Sequence, residues 1–244
     1  MISPARQRLL LDRLEARVAL TWRREIARAM RAAAREYGES ESIGLAIGEH
    51  KERVNRIIAV TYETAAREFA KPFYEKAAER GMVTKDFENF LRFMAAFVTT
   101  VGVQKVSQIT ETTEGQIRRS VSEGIAEGLS LPQIAANIRA RAPQIASVRS
   151  AVIARTEVHS AAMWAQVEAV RETGLVLRKQ WVAAKDERTR TLDDGPFDHA
   201  AMDGETVDMD KAFIVGGEEL EFPGDPSGSP GNIINCRCVM NFVE

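Results

Sequence analysis

The sequence predicts an α+β fold, in which an elongated, mainly helical N-terminal region precedes a small, loop-rich C-terminal domain that contains β-strands and packs on a long helix. Apolar residues recur at helical spacing up to about residue 173. After Gly174 the side chains alternate, and glycine and proline become frequent, which is typical of short strands joined by turns. No apolar run reaches the roughly 18 residues of a membrane span, so we expect no membrane partner.

The first predicted helix covers residues 4–37. Pro4 suits a first helical turn, and neither glycine nor proline follows it before Gly38. Residues 1–35 carry nine arginines against three acidic residues. At helical spacing seven of these arginines fall on one side of the helix. We call them the arginine stripe: Arg6, Arg13, Arg17, Arg24, Arg28, Arg31 and Arg35.

The arginine stripe is open to more than one interpretation. It is either a solvated helix face or a binding surface for nucleic-acid backbone or an acidic protein. Arginine suits the second role, because its planar guanidinium group forms paired hydrogen bonds to phosphate and carboxylate. Helices that bind calmodulin-like proteins or membrane surfaces have the same pattern.

The next helices are predicted from their apolar spacing and from their breaks. Pro72 is expected to kink the second helix and Gly81 to end it, while Pro143 separates the last two helices. His50 is interpreted as a surface residue. An aromatic series at Phe87, Phe90, Phe93 and Phe97 is expected to be core. The predicted helices cover 49–80, Thr84 or Asp86 to 110, 113–127, a helix opened by Ser130 and Pro132, and 145–173.

The C-terminal strands are predicted from alternation and from flanking turn residues. A strand at 176–181 is followed by short strand pieces, and a final strand at 233–243 carries both cysteines. Residues 193–225 contain eleven acidic residues against Lys211 alone. This acidic end and the basic first helix indicate different partners. The short pieces lie at 206–207, 213–215 and 219–222.

Cys236 and Cys238 are expected to be reduced, because a disulfide between positions i and i+2 would be strained. In an extended strand both sulfurs would lie on one face, where a metal could join them. His199 is the candidate third ligand, and Asp203, Asp186 or His159 the fourth, which gives a structural zinc site. Alternatively, His199 and Asp203 hydrogen-bond loop backbone, and the cysteines pack as small apolar groups.

An enzyme is the second interpretation of the same residues. His199, Asp203 and the two cysteines could serve a metal-dependent hydrolase or nuclease. The sequence contains no HExxH, no glycine-rich phosphate loop and no GxSxG. We therefore expect no enzymatic activity, no catalytic residues and no small-molecule substrate.

A series of short motifs resembles the phage head morphogenesis family, whose minor head proteins are called Mu F-like. The resemblance covers residues 130–243, so that we divide the chain into a helical region at 1–129 and a Mu F-like domain at 130–244, with helices to 173 and short strands and loops at 175–244. The order and spacing of the motifs carry it. They are Arg155-Thr156-Glu157, Lys179-Gln180-Trp181, Asp186 through Arg190, His199, Asp203-Gly204, Pro223-Gly224-Asp225-Pro226 and Asn235-Cys236-Arg237-Cys238.

The resemblance implies a minor capsid protein of a tailed phage or phage-like particle. Its expected partners are the portal, the major capsid protein and non-specific DNA, and its expected location is the virion head, assembled in the host cytoplasm. Arg155 or Glu157 is expected to pair across the junction between the helix and the β subdomain. Trp181 is expected to be core.

Overall fold

The computed structural model describes residues 1–82 and 86–244, without the side chains of residue 95 and residues 97–101. It confirms the α+β class. Among the described helices, none is both long and apolar enough to cross a membrane. The elements in chain order are α1 (Pro4–Ser40), α2 (Gly44–Phe69), α3 (Lys71–Glu79), α4 (Phe87–Ala126), α5 (Leu131–Thr173), β1 (Arg178–Val182), β2 (Thr206–Asp208), β3 (Phe213–Val215), β4 (Glu218–Leu220), α6 (Pro230–Ile233) and β5 (Val239–Val243).

The break between α1 and α2 is shorter than the glycine-rich sequence predicted. The carboxylate of Glu36, near the end of α1, accepts hydrogen bonds from the backbone N–H groups of Leu45 (3.1 Å) and Ala46 (2.8 Å). These N–H groups belong to the first turn of α2 and would otherwise have no partner. The cap explains why α2 begins at Gly44 rather than near residue 49.

The predicted break at Pro72 is confirmed, and so is the stop at Gly81. Pro72 lies in the first turn of α3, where its missing N–H costs nothing. Gly81 has a φ of 69°, and the following Met82 N–H donates to the carbonyl of Ala77 at 3.0 Å. This is the hydrogen bond of a glycine-terminated helix. The predicted start of the next helix at Thr84 lies outside the described residues.

Two predicted interruptions of the later helices are wrong. α4 runs through residues 111 and 112, and α5 runs through Pro143. The hydroxyls of Thr112 and Thr113 donate back to carbonyls four residues earlier, which is compatible with a continuous helix. A proline inside a helix costs about 3 kcal/mol. Here Ala142 and Ala146 are fully buried on either side of it, so tertiary packing offsets the local cost.

The described residues form two compact units. Residues of α1, α2, α4 and α5 are shared between the units. The first unit consists of Met1–Ala16, Thr61–Ala95 and Arg155–Glu244, and the second of Arg17–Val60 and Ala96–Ala154.

The second unit is held by an aliphatic core. Ile26 and Met30 of α1, Ile117 of α4 and Ile138 of α5 are among its buried members. Packing is tight where α4 approaches Ile134, because a Cβ added at Gly124 would lie 2.6 Å from Cγ1 of that side chain. The helix-spaced apolar residues of the sequence therefore form one contiguous core in this unit.

The first unit contains the β structure. β1 lies between β2 and β5 in an antiparallel sheet, with Trp181 opposite Met240. β3 and β4 form a separate hairpin, in which Gly216 and Gly217 both have positive φ, as a two-residue hairpin turn requires. The buried core of this part includes Trp181, as predicted, with Phe213, Val215, Leu220, Cys236 and Cys238.

The predicted final strand is too long. β5 begins at Val239, so both cysteines precede it instead of lying within it. Pro230 opens the short helix α6, and Asn235 has a φ of 61°, which no extended strand adopts. The two sulfurs are therefore brought together by a turn rather than by the pleat of a strand.

The predicted aromatic core of α4 is only partly confirmed. Phe90 is buried and contacts the ring of Tyr74, whereas Phe93 is 45% exposed. The side chain of Phe97 lies outside the described residues.

Lys179 of β1 is a buried lysine. Its Nζ lies 5.7 Å from the centroid of the Phe213 ring and has no hydrogen-bond acceptor in the described part of the chain. Burial lowers the pKa of its amine to about 8. Deprotonation near neutral pH therefore costs this lysine far less than it would cost an exposed one.

Candidate functional site

Three potential metal ligands meet in the first unit. His199 Nδ1 lies 3.6 Å from Cys236 Sγ and 3.7 Å from Cys238 Sγ, and the three ligand atoms all lie within 4.8 Å of one another. All three residues are at most 2% exposed. We call this group the His–Cys–Cys cluster.

A turn and a loop position Cys236 and His199 in the cluster. The turn after α6 carries Cys236, whose N–H donates to the carbonyl of Ile233 at 3.2 Å. His199 lies in the loop between β1 and β2, where its ring meets the Trp181 ring edge-on with centroids 5.3 Å apart. The indole thus holds the imidazole from the side of the sheet.

Asn232 fixes the orientation of the imidazole. Its Nδ2 donates to the carbonyl of Val215 (3.2 Å) and to Oε2 of Glu218 (3.0 Å). Its Oδ1 is therefore the atom that faces His199 Nε2, at 2.7 Å. A carbonyl oxygen only accepts, so Nε2 carries the proton. The lone pair of Nδ1 then points to the two sulfurs.

The pKa values of the two thiols are shifted in opposite directions. The pKa of Cys238 lies well below its usual range, because the Cys236 thiol donates to its sulfur and because His199 is close to it. The pKa of Cys236 is raised well above its usual range by that same hydrogen bond and by burial. Cys238 is thus the thiol that loses a proton first.

The cysteine segment is attached to α5 by three hydrogen bonds. Arg155 Nη1 donates to Asn235 Oδ1 at 2.8 Å, and the Asn235 N–H donates to Thr156 Oγ1 at 3.2 Å. His159 Nε2 donates to the carbonyl of Cys238 at 2.6 Å. We call these contacts the helix clasp. They confirm the expectation that Arg155 bonds across the junction between helix and β subdomain.

An ion pair at Arg155 and the close packing around His159 support the helix clasp. Arg155 Nε lies 3.6 Å from Oε2 of Glu15 on α1, and burial raises the pKa of that carboxyl group. A Cβ added at Gly224 would lie 2.5 Å from Nδ1 of His159. The His159 imidazole is therefore enclosed, and burial lowers its pKa to about 4.

Comparison with known proteins places these residues in a family. The family model for Phage Mu protein F like protein matches residues 115–241, which include the helix clasp and the His–Cys–Cys cluster. The chain belongs to this Mu F-like family. The resemblance seen in the motifs is therefore confirmed.

Two curated relatives are similar to part of the chain. It is 31% identical over 127 residues to "NAD(+)--arginine ADP-ribosyltransferase EFV" of Enterococcus faecalis (strain ATCC 700802 / V583), a match that covers 50% of this chain and 24% of the relative. It is 27% identical over 143 residues to "Uncharacterized protein YqbB" of Bacillus subtilis (strain 168), covering 57% of this chain and 45% of the relative. The chain thus spans less than half the length of either relative. No solved structure matches it.

The other residues of the Mu F-like motifs lie outside the His–Cys–Cys cluster. Asp203, the predicted fourth ligand, accepts from the N–H of Ala183 at 3.0 Å and pairs with Lys185 at 2.6 Å. Asp186 pairs with Arg237 Nε at 2.9 Å. In the described residues no fourth histidine, cysteine or carboxylate joins the cluster. The two aspartates instead hold the loop that carries His199.

The remaining motif residues have structural positions. Arg190 donates to the carbonyl of Ile234. Gly204, with a φ of 88°, gives its N–H to the carbonyl of Trp181 at 2.8 Å. Glu157 is buried on α5.

His50 of the second unit was wrongly interpreted as a surface residue. It is fully buried, with Nδ1 at 3.0 Å from Glu25 Oε1 and Nε2 at 3.2 Å from Thr113 Oγ1. Arg149 donates to the same hydroxyl at 2.6 Å. The order of groups is that of a catalytic triad, but the histidine and hydroxyl have no exposed surface for a substrate. The helical spacing from His50 to Val54, Ile57 and Ile58 is the signal that could have predicted its burial.

All seven residues of the arginine stripe are exposed. Arg6 and Arg13 belong to the first unit, and the other five belong to the second. The solvent-facing position of these side chains leaves them accessible to a charged partner.

The hydrogen bond between Arg155 and Asn235 gives a testable coupling energy. In a double-mutant cycle with Arg155→Met and Asn235→Gly, we expect about 1–3 kcal/mol, because one partner is charged and the pair is largely shielded from water. Glycine keeps the positive φ of residue 235 without strain. Urea unfolding of the four proteins measures the coupling.

An exposed pair of the same unit is the control for this cycle. Arg178 Nε lies 3.1 Å from Asp208 Oδ1, with side chains 51% and 66% exposed. The cycle with Arg178→Met and Asp208→Asn should give less than about 1 kcal/mol. A coupling for Arg155 and Asn235 no larger than that of the control contradicts the clasp.

Proposed function

We propose that this chain is a minor capsid protein that works within the head of a tailed phage or phage-like particle, bound to the portal, the major capsid protein or both during assembly, packaging or delivery. The family match over residues 115–241 carries this proposal. The matched segment contains all five residues of the helix clasp.

A structural role suits the geometry better than a catalytic one. The His–Cys–Cys cluster is at most 2% exposed, so a substrate has no access to it. Asp203, which a metal-dependent hydrolase or nuclease would need there, pairs with Lys185 instead. The activity in the name of the Enterococcus faecalis relative belongs to a protein of which the match covers only 24%. The match therefore does not support an ADP-ribosyltransferase activity for this chain.

The charges of the chain favour two different partners. The arginine stripe is suited to the phosphates of the genome, because guanidinium groups bind phosphate in pairs of hydrogen bonds. The β-containing domain carries exposed acids that would repel DNA, so its docking partner is a protein. These acids are Asp193, Asp194, Glu205, Asp208, Asp210, Glu219 and Glu221.

Assembly with head proteins is the direct test of the proposed function. The chain is co-expressed with the portal and major capsid genes of the same phage, and the particles are separated by sedimentation. We expect the chain to sediment with procapsids in a low, fixed copy number that mass spectrometry measures. Sedimentation only as free protein, with the portal and capsid assembled, would overturn the proposal.

Binding to DNA is tested by charge reversal within the second unit. In the triple variant Arg24→Glu, Arg28→Glu and Arg31→Glu, affinity for duplex DNA should fall. The slope of log K against log salt should become shallower by up to about 3, since each lost phosphate contact removes about 0.9. Fluorescence anisotropy at several salt concentrations measures both quantities.

A matched variant separates the stripe from net charge. Arg118, Arg119 and Arg139 are exposed in the same unit but lie outside the stripe. Changing these three arginines to glutamate alters the net charge equally and should weaken DNA binding much less. Equal effects of the two triple variants, or no effect of either, would show that the stripe does not bind DNA.

A further inference from the structure

We propose that His199 Nδ1, Cys236 Sγ and Cys238 Sγ bind one zinc ion, which crosslinks the loop before β2 to the segment before β5. This inference goes beyond the role in the phage head and does not depend on it. It rests on the placement of three donor atoms, the orientation of the imidazole and the charge balance of the buried site.

The distances match those of a tetrahedral zinc site. With Zn–S of about 2.3 Å and Zn–N of about 2.0 Å, tetrahedral angles place nitrogen and sulfur ligands about 3.5 Å apart. The observed separations from Nδ1 to the two sulfurs are 3.6 and 3.7 Å. A hydrogen bond explains one such contact, because Nδ1 has a single lone pair. A metal ion explains both.

The imidazole is prepared as a ligand by its second contact. Asn232 Oδ1 holds the proton on His199 Nε2 at 2.7 Å, so Nδ1 is free of a proton and directed to the sulfurs. Metal-binding histidines typically donate their other N–H to a carbonyl or carboxylate in this way. Asn232 is itself buried, and its two donor contacts prevent the amide from turning over.

The charges of the site suit zinc in a buried position. Two thiolates and a neutral imidazole around Zn²⁺ have no net charge, so the complex avoids the cost of an unpaired buried ion. Thiolate and imidazole are also the ligands that zinc prefers. In the described part of the chain no fourth side-chain ligand joins the three.

The expected stabilisation follows from the shortness of the strands. β2, β3 and β4 have three residues each, and the His–Cys–Cys cluster belongs to the small core that holds them. A metal that binds only the folded chain adds its binding free energy to folding. Removal of zinc should therefore lower the melting temperature of the C-terminal part.

Metal analysis of the full chain tests the proposal. The protein is purified without a histidine tag under reducing conditions, dialysed, and analysed by inductively coupled plasma mass spectrometry. We expect about one zinc per chain, and loss of zinc in Cys236→Ser and Cys238→Ser. Asp208→Asn is the control and should keep its zinc, because Asp208 is exposed and pairs with Arg178 outside the His–Cys–Cys cluster.

Two further measurements test the proposal even if the serine variants do not fold. Titration of metal-free wild-type protein with Co²⁺ should give a thiolate-to-cobalt charge-transfer band. Asn232→Ala should weaken zinc binding by about 10–100-fold, because it removes the partner of His199 Nε2. Zinc far below one per chain together with no charge-transfer band in the wild type would overturn the proposal. So would a zinc content in Cys236→Ser and Cys238→Ser as high as that of the wild type.

Discussion

The hydrogen bonds between one turn of α5 and residues 235–238 are the constraint on which the C-terminal domain depends. Arg155, Thr156 and His159 fix the backbone that leads directly into β5. β5 pairs with all five residues of β1, and β1 also pairs with β2. A slip of one residue in this register would turn every side chain of β5 to the opposite face of the sheet.

The same constraint assembles the His–Cys–Cys cluster. Once residues 235–238 are fixed on the helix, both sulfurs face inward, and the loop between β1 and β2 needs only to bring His199 to them. Asp186 and Asp203 stabilise that loop from outside through Arg237 and Lys185. The Mu F-like motifs therefore describe one packed structure, rather than separate functional sites.

The sequence predicted the elements whose cause is local. The alternation around β1, the burial of Trp181 and the helix end at Gly81 depend on nearby residues, and the structure confirms them. The path of α5 through Pro143 could not be predicted in this way, because the compensating contacts of Ala142 and Ala146 come from the folded core. The position of the cysteines before β5 depends on the positive φ of Asn235, which the sequence does not display. Likewise, the helical spacing around His50 could indicate its burial but not its hydrogen-bond partners, which lie 25 and 63 positions away.

Native-state hydrogen exchange of Thr156→Val tests the helix clasp most directly. Valine keeps the shape of threonine but leaves the Asn235 N–H without its acceptor, which costs about 1–3 kcal/mol. If the clasp holds the sheet, the amides of Asn235, β5 and β1 should lose protection together, each by about fivefold or more. Faster exchange at Asn235 alone, with β1 and β5 as protected as in the wild type, would contradict the account.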